Sequence, residues 1–339
     1  MNNKGLGRHR WPGLFFALPA AALLALATGC PSAPAAHTGE VGGIDHRREM
    51  RTLVIEIGKY ARRVDPSFLV VPQNGEELIT MNGEPDGPLA FAYAEAIDGQ
   101  GREDLFYGYR RDNSATPEAA TAWILPFLDR AAGRGVLPMV TDYASDREKV
   151  DDSYLKNGSR GYLSFAAPSR ELDLIPSYPP SPQAAHAGGI SSLQEARNFL
   201  YLLNPDRFEG RDDYLLALDR TRYDLFIIDA FYGAEMLTEK DVETLQTKPG
   251  GGRRLVLAYL SIGEAEDYRH YWREAWEEAP PPFVAEENPD WPGNYKVRYW
   301  HQAWKALLFG SRESYLDRIL HIGFDGVYLD IIDAYESWE

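Results

Sequence analysis

Cysteine is nearly absent from this chain: Cys30 is the only one in 339 residues. Intrachain disulfides are thereby excluded, and the fold must stand on its apolar core. Basic charge is also scarce, with 35 Lys and Arg against 51 Asp and Glu and a formal net charge of −16. That balance argues against nucleic acid as a partner, because phosphate binding needs a basic face. It suits a cationic ligand, although acidic surfaces also simply keep proteins soluble. The seven histidines form neither His-x-His nor His-x-x-x-His, so no metal-type pairing stands out and no cofactor is expected. A Gly-x-Ser-x-Gly elbow is missing too. The Gly-x-Gly at Gly99 and Gly101 is read as lying before a strand, the wrong side for a nucleotide loop.

What is present begins with a targeting segment. Lys4, Arg8 and Arg10 precede an apolar stretch, Trp11 to Ala27, that Pro12, Gly13 and Pro19 make a poor membrane span. Small residues then run into Cys30, a pattern that resembles the bacterial lipoprotein signal. The expectation is a signal peptide over 1–30, with Cys30 as the lipid-modified mature N-terminus in the cell envelope. Residues 31–44 are Pro/Ala/Gly-rich and read as a flexible tether. The remainder, 45–339, reads as one domain in two halves, 45–174 and 191–339. The Pro-rich segment 175–190 joins them.

Within that domain, strands and helices alternate at the rhythm of a parallel sheet. Helices are predicted over 47–63, capped by Asp45, and over 88–97, 117–134, 213–219 and 301–321. Strands are predicted over 67–72, 103–107, 136–141, 161–166, 198–203, 223–229, 254–263, 295–300 and 323–332. Nine strands exceed the eight of a (β/α)8 barrel, and 161–166 is taken as the peripheral one. A doubly wound sheet is the alternative, disfavoured by the lack of a phosphate-binding fingerprint.

Acids recur at the ends of these strands, among them Asp229, Glu264, Asp330, Glu76, Glu77, Glu103 and Asp142. In an α/β barrel that end carries the chemistry. Most such acids cap helices or form ion pairs. Paired carboxylates without metal ligands nevertheless point to glycosidic bond cleavage, which needs one acid and one base or nucleophile. The abundance of aromatics, 20 Tyr, 14 Phe and 8 Trp, fits a sugar cleft as well as ordinary packing.

Five blocks carry a resemblance: FLVVPQNGEEL (68–78), GREDLFY (101–107), AYLSIGEAEDYRHYW (258–272), NPDWPGNYKVRYW (288–300) and GFDGVYLDIIDAYESW (323–338). Together they resemble a bacterial and archaeal branch similar to glycoside hydrolase family 114, the endo-α-1,4-polygalactosaminidases. The likeness covers most of 47–173 and 198–339. It implies a (β/α)8 TIM barrel and hydrolysis of an α-linked amino-sugar polymer. In that family the block like 198–339 comes first, so the halves here are circularly permuted. The strand at Val327 should then lie beside the strand at Leu69. Residue by residue, the resemblance carries catalytic roles to Asp330 and Glu103, one as nucleophile or base and the other as acid. Asp229, Tyr259, Glu264, Gln73, Asn74, Asp142 and Trp300 are candidate sugar contacts. A catalytically inactive carbohydrate-binding lipoprotein on the same barrel is the competing expectation, and a non-glycosidic barrel hydrolase a third.

Overall fold

The computed structural model describes residues 43–339. Cys30, the signal segment and residues 31–42 of the tether lie outside the described residues. The first half contains α1 (His46–Val64), β1 (Leu69–Pro72), a single turn α2 (Phe91–Ala94), β2 (Gly99–Glu103) and α3 (Glu118–Ala132). It ends with β3 (Leu137–Tyr143), α4 (Arg147–Ser159) and β4 (Leu163–Ala167). The second half opens with β5 (Phe199–Leu202), α5 (Arg211–Asp219) and β6 (Leu225–Ile228). A small hairpin of β7 (Phe231–Tyr232) and β8 (Glu235–Met236) precedes α6 (Glu239–Leu245) and β9 (Leu255–Ser261). Then come β10 (Glu264–Glu266), β11 (Val284–Glu287), β12 (Asn294–Val297), α7 (Gln302–Leu308), α8 (Tyr315–His321) and β13 (Gly326–Asp330).

Local chemistry explains the elements. The Asp45 carboxylate accepts the Arg48 N–H at 2.9 Å and caps α1. Met50, Leu53, Val54, Ile57 and Ala61 then form one fully buried stripe along that helix. The strands β6 (LFII) and β9 (LVLAYLS) are buried at every position and apolar up to the closing Ser261, as suits parallel strands covered on both faces.

Eight strands pair in parallel in two sheets, ordered β5–β6–β9–β13–β1 and β2–β3–β4. At one seam between the sheets, Gln73 and Gly101 form a parallel bridge, and the Asn74 N–H donates to the Gly101 carbonyl at 2.8 Å. Across the other, the Phe165 ring of β4 lies 5.6 Å from the Phe199 ring of β5. The mixed α/β architecture with parallel sheets is consistent with a (β/α)8-type fold. Val327 pairs with Val70, so strands from the two ends of the chain are neighbours, as expected.

Several expectations are corrected. Residues 163–167 are not peripheral: β4 pairs with β3 in the parallel sheet. The extra strand is the one expected over 295–300. It is β12, antiparallel to β10 and β11 in a separate sheet. The strand expected over 103–107 lies at 99–103, so Gly99 and Gly101 are inside it rather than before it. Gly101 is required there because a methyl group would overlap the Tyr328 hydroxyl of β13. The helix expected over 88–97 is one turn. That over 301–321 is broken into two helices around Gly310, whose φ is +110°. The Pro-rich connection holds no helix or strand between β4 and the short turn at Leu193.

Candidate functional site

The C-terminal ends of β1, β2 and β13 converge on one buried polar cluster. Asp330 ends β13 and Glu103 ends β2, and they are 2% and 1% exposed. Gln73 continues β1 between them, its N–H donating to the Leu329 carbonyl at 2.8 Å. The Gln73 side-chain amide donates to Glu103 Oε2 at 2.6 Å and accepts the Tyr201 hydroxyl at 2.9 Å. Asn74 adds a longer contact from Nδ2 to the same oxygen, 3.4 Å, and accepts the Glu103 N–H at 3.2 Å. The Tyr143 hydroxyl donates to Glu103 Oε1. The Arg170 guanidinium lies over the Tyr143 ring, 4.1 Å from its centre, and is paired with Asp104.

Asp330 is held by two donors. The Tyr259 hydroxyl reaches Oδ2 at 2.7 Å, and the Ile331 N–H reaches Oδ1 at 2.8 Å. A backbone signature accompanies these contacts. Asn74, Asp104 and Ile331 have φ of 59°, 57° and 57°, and each directly follows one of Gln73, Glu103 and Asp330. A left-handed conformation is uncommon outside glycine and a true outlier for a β-branched residue. Its cost is roughly 1–2 kcal/mol per residue. Such strain gathers where chain direction serves a site.

Burial dominates the electrostatics. It pushes the Glu103 carboxyl up to about 7, with the Asp330 and Asp104 charges adding to the rise and the Tyr143 hydrogen bond opposing it. It pushes Asp330 up to about 6 against the stabilising Tyr259 and Ile331 donors. Glu264, at the start of β10, is raised by burial to about 7; the Asn288 amide opposes the shift at 2.8 Å, and the Asp330 charge adds to it. Three buried carboxyl groups are thus raised together, and the Asp330 charge acts on both Glu103 and Glu264. They are poised to hold and exchange protons near neutral pH.

A cleft of about 330 Å³ opens over Asp330, Tyr259 and Glu264, walled by Asn288, Trp291 and Trp338. Glu103 does not line it; its two oxygens are engaged by Gln73 and Tyr143. Asp229 stands elsewhere, paired with Arg269 at 2.9 Å and capping the Phe231 N–H. Both Asp142 oxygens are occupied, by the N–H groups of Phe106 and Tyr107 and by Ser153 and Asn157. Trp300 packs against His46, Tyr299 and Trp338 rather than lining the cleft. Glu76 is paired with Arg102 at 3.0 Å. Sequence reasoning passed over Tyr143, Tyr201, Asn288 and Trp291. The segment NPDWPGN, dense in turn and amide residues, was the available signal for the last two. Among the described residues no group of three or more His, Cys, Asp or Glu is placed to hold a metal ion.

A parallel α/β fold with a carboxylate-bearing cleft at its strand ends supports several chemistries, and similarity to known proteins narrows them. Residues 183–339, a little under half of the chain, match the model of Glycoside-hydrolase family GH114, and over that stretch the chain is GH114-like. A protein of Methanocaldococcus jannaschii is 48% identical over 156 residues, 45% of this chain and 42% of the relative. One of Thermotoga maritima is 52% identical over 82 residues, 24% of each chain. One of Deinococcus radiodurans is 49% identical over 83 residues, 24% of this chain and 26% of the relative. All three are uncharacterised proteins, and the chain spans less than half the length of each.

Proposed function

We propose that the protein is an exported, lipid-anchored glycoside hydrolase that cleaves an α-linked amino-sugar polysaccharide of the galactosamine type. Asp330 and Glu103 are the catalytic carboxylates, and the fold is a circularly permuted (β/α)8 barrel. The observation that carries this reading is the buried pair at the strand ends. The two carboxyl groups are raised to about 6 and about 7, the Asp330 charge adds to the rise at Glu103, and Gln73 stands between their strands. Glycosidic cleavage needs one such group protonated and one ionised. Barrel closure is supported by contacts at both seams, the Gln73–Gly101 bridge and the Phe165–Phe199 packing. The permutation is supported by the pairing of β13 with β1 and by an ion pair of 2.8 Å between Arg47 and Glu339. A hydrolysis screen on deacetylated and acetylated galactosamine and glucosamine polymers tests the activity. Failure on all four would remove the substrate assignment.

The pH profile follows from the pair. Activity requires one proton shared between Asp330 and Glu103, so the rate should rise with pH through about 6 and fall through about 7. A rate flat from pH 5 to 8 would contradict it. Glu264 is the second candidate for the acid, because it lines the cleft while Glu103 does not. The anchor rests on the small residues before the sole cysteine. Cys30→Ser should move the protein to the soluble fraction, since each buried methylene of a lipid contributes roughly 0.8 kcal/mol. Retention on membranes after a salt wash would refute the anchor.

A further inference from the structure

Beside the cleft over Asp330 lies a second cavity of about 700 Å³, between the ends of β6 and β7 and the antiparallel β10–β12 sheet. Trp291, Asn294 and Leu203 line both. We infer that Trp291 is a stacking platform between two sugar subsites, so that the groove holds several consecutive residues of a cationic polysaccharide chain. The inference rests on the glycosidase reading above and extends it to a specificity-determining residue.

Three observations support it. The first is the ring itself. Every other tryptophan among the described residues packs on another aromatic ring, as Trp272 does on Trp276 and Trp300 on Trp338. Trp291 is half-buried and has no such partner, so its indole is not committed to the core. The second is the frame. Trp291 sits between Pro289 and Pro292 on the loop joining β11 to β12. That loop is closed by hydrogen bonds from Asn288 N to Asn294 O at 2.7 Å, Asn294 N to Trp291 O at 3.0 Å and Gly293 N to Glu287 Oε1 at 2.8 Å. A ring held on a short, internally bonded loop is preorganised, which lowers the entropy cost of binding.

The third is charge. Seven acidic side chains and two basic ones line the first lobe, with Glu264 and Asp330 among the acids raised by burial. Both basic groups are already paired, Lys296 with Glu286 at 3.0 Å and Arg170 with Asp104 at 2.8 Å. In the second lobe Asp229, Asp267 and Glu287 accompany Arg269, which is paired with Asp229 at 2.9 Å and Glu266 at 2.6 Å. A groove of this sign favours sugars with free amines over their neutral acetylated forms. The apolar face of a pyranose supplies what an uncommitted indole can cover.

The test measures binding of α-1,4-linked galactosamine oligomers, from disaccharide to octasaccharide, to the full chain carrying Asp330→Asn. Trp291→Ala in that background should weaken the long oligomers by at least about ten-fold and leave the disaccharide nearly unchanged. Trp291→Tyr should restore most of the loss, and the unfolding midpoint should stay with the parent's. Loss at no length, or equal loss at every length, overturns the platform while leaving the glycosidase reading intact. Acetylated oligomers binding as tightly as the free amines overturns the cationic preference. No binding of either series to the parent removes the substrate reading, and this inference with it.

Discussion

Asp330→Asn and Glu103→Gln should each lower turnover by about 10²–10⁴-fold on the best substrate of the polymer screen, with the fold intact. An amide at either position neither delivers nor receives the proton that glycosidic cleavage requires. The Glu103 variant carries a second, independent signature. Its carboxyl is raised in the folded state to about 7, chiefly by burial. The unfolded chain therefore ionises first as pH rises, and the folded state is progressively penalised up to about pH 7. Glu103→Gln lacks that penalty. Its unfolding midpoint relative to the parent's should improve between pH 5 and pH 8, while activity is lost. Normal turnover in Glu103→Gln, with turnover lost in Glu264→Gln, would transfer the acid role to Glu264.

The largest expected loss of stability lies at the opposite ends of the strands. Asp224, just before β6, is fully buried. Its carboxylate accepts Lys248 Nζ at 2.8 Å and the Arg197 N–H at 2.9 Å, and it lies 3.1 Å from His186 Nε2. Lys248 is 2% exposed. Asp224→Ala leaves that ammonium buried without its counter-charge, which costs roughly 3–5 kcal/mol. The substitution also loosens the Pro-rich connection, since His186 belongs to it and Asn198 beside Asp224 donates to the Gln183 carbonyl at 2.8 Å. Equilibrium urea unfolding measures the loss. Adding Lys248→Met should recover much of it, because the stranded charge is then gone. A loss under 1 kcal/mol for Asp224→Ala would show that water reaches Lys248.

The alternation of parallel strands and helices was legible along the chain because burial on both faces demands continuous apolar runs, as in LFII and LVLAYLS. The cap of α1 at Asp45 and the turn chemistry ahead of β13 were legible for the same local reasons. The strand GQGRE was placed four residues late because its residues are polar or glycine. What makes it a strand is Tyr328 on a distant neighbour, which needs the space above Gly101. The helix REKVDDSYLKNGS has a weak apolar stripe and was not foreseen, since its buried face is small and partly polar, with Ser153 and Asn157 turned toward Asp142.

The candidate site divides in the same way. Acids at strand ends follow from the chain alone, because a carboxylate closing an apolar run is conspicuous wherever it folds. Which acids meet does not follow, because Asp330 and Glu103 are brought together only by the pairing of β13 with β1 and the bridge from Gln73 to Gly101. Asp142 and Trp300 have the same local character as the residues of the cleft. Tertiary contacts commit one to the loop after β2 and to α4, and the other to His46 and Trp338. The sequence by itself determined most of the parallel strands, the acidic balance and the family likeness, all of which depend on near neighbours or on composition. The tertiary structure alone decided which carboxylates are buried together and which tryptophan keeps a free face, because burial and mutual charge are set by residues hundreds of positions apart.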